Sequence, residues 1–108
     1  MNTQNSSALS PQQLQSWLAD GAELALLDVR DEGIFSAGHI FFAASMPLNR
    51  MEYLADAMAP RRNVRTVLID DGDGLAQRAA ARLAGWGYTA IRMLDGGMPA
   101  WHGAGLQV

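Results

Sequence analysis

The segment Asp70-Asp71-Gly72-Asp73-Gly74-Leu75 holds the most chemical promise in the chain. Three carboxylates fall within four residues, directly after the apolar run Val64 to Ile69 and directly before an alanine-rich stretch. A glycine-containing turn from a strand into a helix points backbone N–H groups into a concavity at the helix N-terminus, which attracts anions. The side chains here oppose that use, because no Arg occurs from Asp70 up to Arg78 and no Lys occurs anywhere, so like charge would repel an incoming anion. We therefore expect Asp70 to turn inward, accept hydrogen bonds from the loop N–H groups and fill the anion site from within. Phosphoryl transfer on Asp70, Asp71 and Asp73 fits poorly with so short a chain that lacks lysine. Calcium binding fits poorly as well, because the oxygen ligands stop at Asp73 and no glutamate follows at the twelfth position. The residues predict a solvated, capped turn with no metal and no cofactor.

A second constellation, Asp28-Val29-Arg30-Asp31-Glu32, follows the apolar run Leu24 to Leu27. A carboxylate and a guanidinium two residues apart at a strand end are expected to orient neighbouring loops rather than to react. His39, between Gly38 and Ile40, is a single histidine with no ligand partner and reads as hydrogen-bonded scaffold. His102 should be exposed. The adjacent pair Phe41-Phe42, if exposed, would form with loop 70–75 a surface for a partner protein. The chain has no cysteine, which removes disulfides, thiolate metal sites and thiol catalysis together.

The elements that must position these residues are legible from pattern. Ser10-Pro11-Gln12-Gln13 gives an N-cap hydroxyl, a proline at the first helical position and a glutamine at the capping-box position. Leu14, Trp17 and Leu18 then share one face of a helix expected to stop at Asp20-Gly21. Leu24 to Leu27 reads as a strand buried on both faces, Val64 to Ile69 as a strong strand broken only by Arg65 and Thr66, Ala43 to Met46 as a weaker one and Ala90 to Leu94 as the last. Between them, Asn49 with Glu52 is expected to cap a helix over Arg50 to Met58, and Gly74 to Trp86 carries an alanine-rich helical face. Trp17, Trp86 and Trp101 are expected in the core. Strands alternating with helices predict a parallel sheet covered on both faces, with ligands binding beyond the carboxyl ends of the strands.

With 108 residues, 49% of them hydrophobic and 18% charged, the chain suits one domain with a packed core. The formal net charge is −3 and the eight basic residues, all arginine, are scattered, which argues against nucleic acid. No apolar run approaches the roughly 20 residues of a membrane span, so no membrane partner and a cytoplasmic location are expected. Residues 1–9 read as a flexible segment with a short extended piece near Leu9, and 10–105 as the folded domain.

From about Ser10 to Gly105 the sequence resembles the rhodanese-like family. Leu27-Asp28-Val29-Arg30 followed by Phe35 and Gly38-His39-Ile40 is similar to the family's first signature, and Leu94-Asp95-Gly96-Gly97 with Trp101 is similar to its second; Gly87-Tyr88 before the last strand also fits. The resemblance implies a three-layer α/β/α domain with a small parallel sheet of about five strands. It also implies that the residue after Val67-Leu68-Ile69 stands where active members carry the catalytic cysteine, and here that residue is Asp70. The loop keeps the family's length and resembles those of the non-catalytic domains of tandem-domain sulfurtransferases. Phe41-Phe42 departs from the family's usual glycine-containing turn. A carboxylate cannot form the persulfide that sulfur transfer requires, so the resemblance implies an inactive module that serves an active rhodanese domain in the same or another chain. If the protein continues beyond Val108, the expectation is a second rhodanese pattern with its cysteine.

Overall fold

The computed structural model describes residues 7–106. Residues 1–6, most of the segment expected to be flexible, lie outside them. Ser10 opens the first helix as its sequence predicts. Its Oγ accepts from Gln13 N at 3.1 Å and its own N–H donates to Gln13 Oε1 at 2.9 Å, closing a reciprocal capping box.

In chain order the elements are β1 (Ala8–Leu9), α1 (Pro11–Ala19), β2 (Leu24–Asp28), α2 (Glu32–Ala37), β3 (Ala44–Ser45), a 3₁₀ turn (Leu48–Arg50), α3 (Met51–Met58), β4 (Arg65–Ile69), α4 (Leu75–Gly85), β5 (Ile91–Leu94) and α5 (Gly97–Gly103). The five strands form one parallel sheet in the order β1-β5-β4-β2-β3. Adjacent side chains on a strand point to opposite faces, so each central strand feeds two cores. Leu27 and Leu68 pack with Met51, Ala79 and Leu83 under α3 and α4, whereas Leu26 and Val67 pack with Leu14, Met98 and Trp101 under α1 and α5. Full burial of each leucine contributes about 1.5–3 kcal/mol. No helix of the described residues is long and apolar enough to cross a membrane.

The structure departs from the sequence expectations in four places. Asn49 does not cap a helix: it lies inside the 3₁₀ turn, and α3 starts only at Met51 with no side-chain cap. Trp86 is not core. It ends α4 with 38% of its surface exposed, while Trp101 is buried and Trp17 lies half-buried beneath the Arg65 guanidinium, 4.6 Å from its ring. Helix α2 was not anticipated, because six residues reading Glu-Gly-Ile-Phe-Ser-Ala are too short to show a helical period. Finally, Phe41-Phe42 does not disturb the turn after His39. Ala43 N donates to the Ile40 carbonyl at 2.8 Å, closing a tight turn in which neither phenylalanine has positive φ, so no glycine is needed.

Candidate functional site

The register of the central strands assembles the site. Asp28 on β2 lies opposite Ile69 on β4, so the Asp28-Val29-Arg30 segment and loop 70–75 leave the sheet side by side. Val29 N donates to the Ile69 carbonyl at 3.0 Å and extends the pairing one step past the strand end.

Asp70 is the first residue of the loop and only 4% exposed. Its Oδ1 accepts from Gly72 N at 2.9 Å and its Oδ2 from Ala76 N at 2.9 Å. The second bond comes from the first turn of α4, where a helix leaves orphan N–H groups and a positive end. Each oxygen therefore takes up one N–H group that an external anion could otherwise use. Gly74, at φ 90°, supplies the left-handed step that brings the chain round into α4.

The turn from β5 into α5 clamps the loop from the other side. Met98 N donates to the Asp70 carbonyl at 2.8 Å. Gly97, at φ 63°, lies so close that a Cβ there would sit 2.5 Å from Gly72 N and 2.7 Å from Asp70 Oδ1. The second glycine of Gly96-Gly97 is thus required by close approach as well as by backbone angle.

Arg30 is the hub beneath the loop. Asp28 is fully buried and Arg30 is 5% exposed. The guanidinium donates to Asp28 through Nε at 2.9 Å and Nη2 at 2.8 Å, to the Gly38 carbonyl at 2.7 Å, and from Nη1 to Asp71 Oδ1 at 3.3 Å. Hydrogen bonding to Asp28 raises the Arg30 pKa above its ordinary value, against the opposing effect of burial. One cation therefore ties Asp28 at the end of β2 to loop 70–75 and to Gly38, the residue before His39. His39 Nδ1 lies 2.8 Å from the Phe35 carbonyl and its ring stacks on Phe35 at 3.8 Å, fixing the end of α2. Asp73 makes only a long contact, from Leu75 N at 3.4 Å.

A cavity of about 470 Å³ opens beside the loop, at the carboxyl ends of β4 and β5, with Ser7 and Ala8 on its far wall. Its polar wall includes Asp70, Gln77 and Asp95, with no arginine, so its field disfavours anions. The cavities flanked by Phe41 and Phe42 share no residue with it. Among the described residues no three His, Asp or Glu side chains are grouped to hold a metal ion: the Asp70 oxygens face backbone donors and Asp71 faces Arg30.

Sequence reasoning missed the Arg30–Asp71 contact, which spans 41 positions, and the clamp from Gly97 and Met98. The glycine doublet was the signal for the clamp; nothing local signals the ion pair.

Residues 10–104 match the Rhodanese family, described as a rhodanese-like domain. The thiosulfate sulfurtransferase GlpE of Pseudomonas entomophila is 31% identical over 97 residues, covering 87% of this chain and 83% of that protein. A crystal structure of thiosulfate sulfurtransferase from Pseudomonas aeruginosa superposes with a TM-score of 0.87 at 42% identity, covering 92% of this chain but 19% of that one. The chain thus spans about a fifth of that relative's length. The Alr3790 protein from Anabaena is similar at 27% identity and a TM-score of 0.80, over 89% of this chain and 86% of that one.

Proposed function

The chain belongs to the rhodanese-like domain family, and from that premise we propose that it is a non-catalytic module of a multi-domain thiosulfate sulfurtransferase, structural or regulatory rather than sulfur-transferring. The observation that carries this reading is Asp70. It stands first in the loop after β4, and its carboxylate accepts both Gly72 N–H and Ala76 N–H. Sulfur transfer needs a thiolate to attack the sulfane sulfur, expel the rest of the donor and hold the sulfur as a persulfide. No residue of this chain can do so, because it has no cysteine.

Electrostatics supports the same reading. Asp70, Asp71 and Asp73 surround a cradle whose one contacting guanidinium, Arg30, is already bound to Asp28. A dianionic donor entering this loop would meet carboxylates and find Gly72 N–H and Ala76 N–H already bonded to Asp70. The match to about a fifth of a longer thiosulfate sulfurtransferase supports a partnership with an active rhodanese domain, in the same or another chain.

The test is thiosulfate-to-cyanide transfer by the chain alone and mixed with a cysteine-bearing thiosulfate sulfurtransferase domain. The expected result is no turnover alone and a changed kcat/KM of the mixture. Turnover by the chain alone overturns the reading.

A further inference from the structure

We propose that the uncharged face built from α1, the turn at Phe41-Phe42 and α5 is a self-association surface, and that its occupant is a second copy of this chain. The proposal stands independently of whether loop 70–75 transfers sulfur.

Phe41 and Phe42 occupy the two corners of the turn closed between Ile40 and Ala43, with 79% and 67% of their surface exposed. Their rings meet edge to face, 4.9 Å apart, and form one apolar knob. Turn corners ordinarily hold Gly, Pro, Asn, Asp or Ser because they project into water, and the backbone here imposes no need for phenylalanine. Beside the knob lies a hollow of about 310 Å³, walled by Leu18, Ile40, Trp101 and Leu106, with Gln15 at its edge. Segments 9–19, 38–43 and 97–106, which build this face, contain no Asp, Glu, Lys or Arg. All eight basic and all eleven acidic residues lie elsewhere. Depletion of charge is the compositional mark of an interface core.

The arrangement favours a second copy. A two-fold interface must be self-complementary, and this face carries a protrusion and a hollow of matching chemistry side by side. Phe41 of one copy can enter the hollow of the other while the other does the same. Two copies each carry a formal charge of −3, so a contact between them is favoured where, as on this face, neither contributes a charge. A lipid surface fits less well, because a membrane-docking face uses Lys or Arg to engage anionic headgroups. The two exposed rings present about 300 Å² per copy. With the walls they would cover, a symmetric pair removes roughly 1,200 Å², the lower limit of specific interfaces. That area suits a weak, reversible dimer.

Sedimentation equilibrium of the full chain from about 10 µM to about 1 mM, the range where such small interfaces saturate, tests the proposal. Wild type is expected to rise from monomer to twice the monomer mass across this range. The double variant Phe41→Ser, Phe42→Asn, which suits turn corners, and Gln15→Glu, which places a carboxylate at the rim of an exposed helix position, are both expected to stay monomeric with unchanged circular dichroism. A wild type that remains monomeric throughout overturns the proposal, including the case where it binds only an added cysteine-bearing rhodanese-like domain. Association that persists in both variants overturns it too, by placing the contact elsewhere. None of these outcomes bears on sulfur transfer, which the activity assay reads separately.

Discussion

Replacing Asp70 with alanine removes the carboxylate that bonds Gly72 N and Ala76 N, each at 2.9 Å. A hydrogen bond to a charged group is worth about 1.5–3 kcal/mol, and the charge at the start of α4 adds about 0.3–1 kcal/mol. Two effects reduce the sum. The variant no longer has to desolvate a carboxylate that is 4% exposed, and water can enter from the adjoining cavity to meet the freed donors. The net loss should be about 2–3 kcal/mol, a large share of a typical domain's stability. Urea denaturation would register it as a midpoint lower by about 1–2 M at constant slope. The same variant vacates an anion site, so sulfate or thiosulfate should stabilise it by about 1.4 kcal/mol at ten times Kd, seen as a higher midpoint, and leave wild type unmoved. Asp70→Asn, which keeps one acceptor, should fall between the two. The reasoning fails if Asp70→Ala matches wild type in stability, or if wild type gains as much from sulfate as the variant does.

Other perturbations read the supporting structure. Arg30→Met strands the buried Asp28 charge and should cost about 3–5 kcal/mol, measured by urea titration; the double variant with Asp28→Asn should recover part of that loss. Gly97→Ala combines a positive φ with a Cβ driven against Gly72 N and Asp70, so a loss of about 2–4 kcal/mol is expected, with amide shifts in residues 70–72 by NMR. The Asp20 pKa is lowered first by its hydrogen bonds with Arg65, then by Ala22 N–H. Its folded value lies below the unfolded value of about 3.9, so its contribution is present above that pH and is lost as pH falls through the folded value. Arg65→Gln should therefore be less stable than wild type near pH 6, with the gap narrowing towards about pH 3 in paired denaturation curves.

Much of this was legible in the sequence because it is set by local rules. Ser10 and Gln13 announce the first cap, a continuous apolar run announces β2, the run Val64 to Ile69 announces β4 although Arg65 and Thr66 break it, and a carboxylate placed before a glycine-rich turn announces where its hydrogen bonds will go. What escaped is set by tertiary context or by brevity. Helix α2 is too short to show a period. Leu48 to Arg50 follow Pro47 into a 3₁₀ turn, which takes the capping role from Asn49. Trp86 falls at the end of α4, where the sheet it might have packed on has ended, so hydrophobic content alone placed it wrongly. The Arg30–Asp71 contact depends on β2 and β4 being neighbours, a fact of topology that no window of sequence contains.

The measurement that bears most directly on the inactive-loop account is thiosulfate-to-cyanide sulfur transfer by wild type, by Asp70→Cys, and by Asp70→Cys combined with Asp71→Asn and Asp73→Asn. The account predicts a silent wild type, weak transfer by the single variant and a rise of about tenfold or more when the two flanking carboxylates are neutralised. Turnover by wild type would contradict it, since that would require sulfur chemistry at this loop without a thiol.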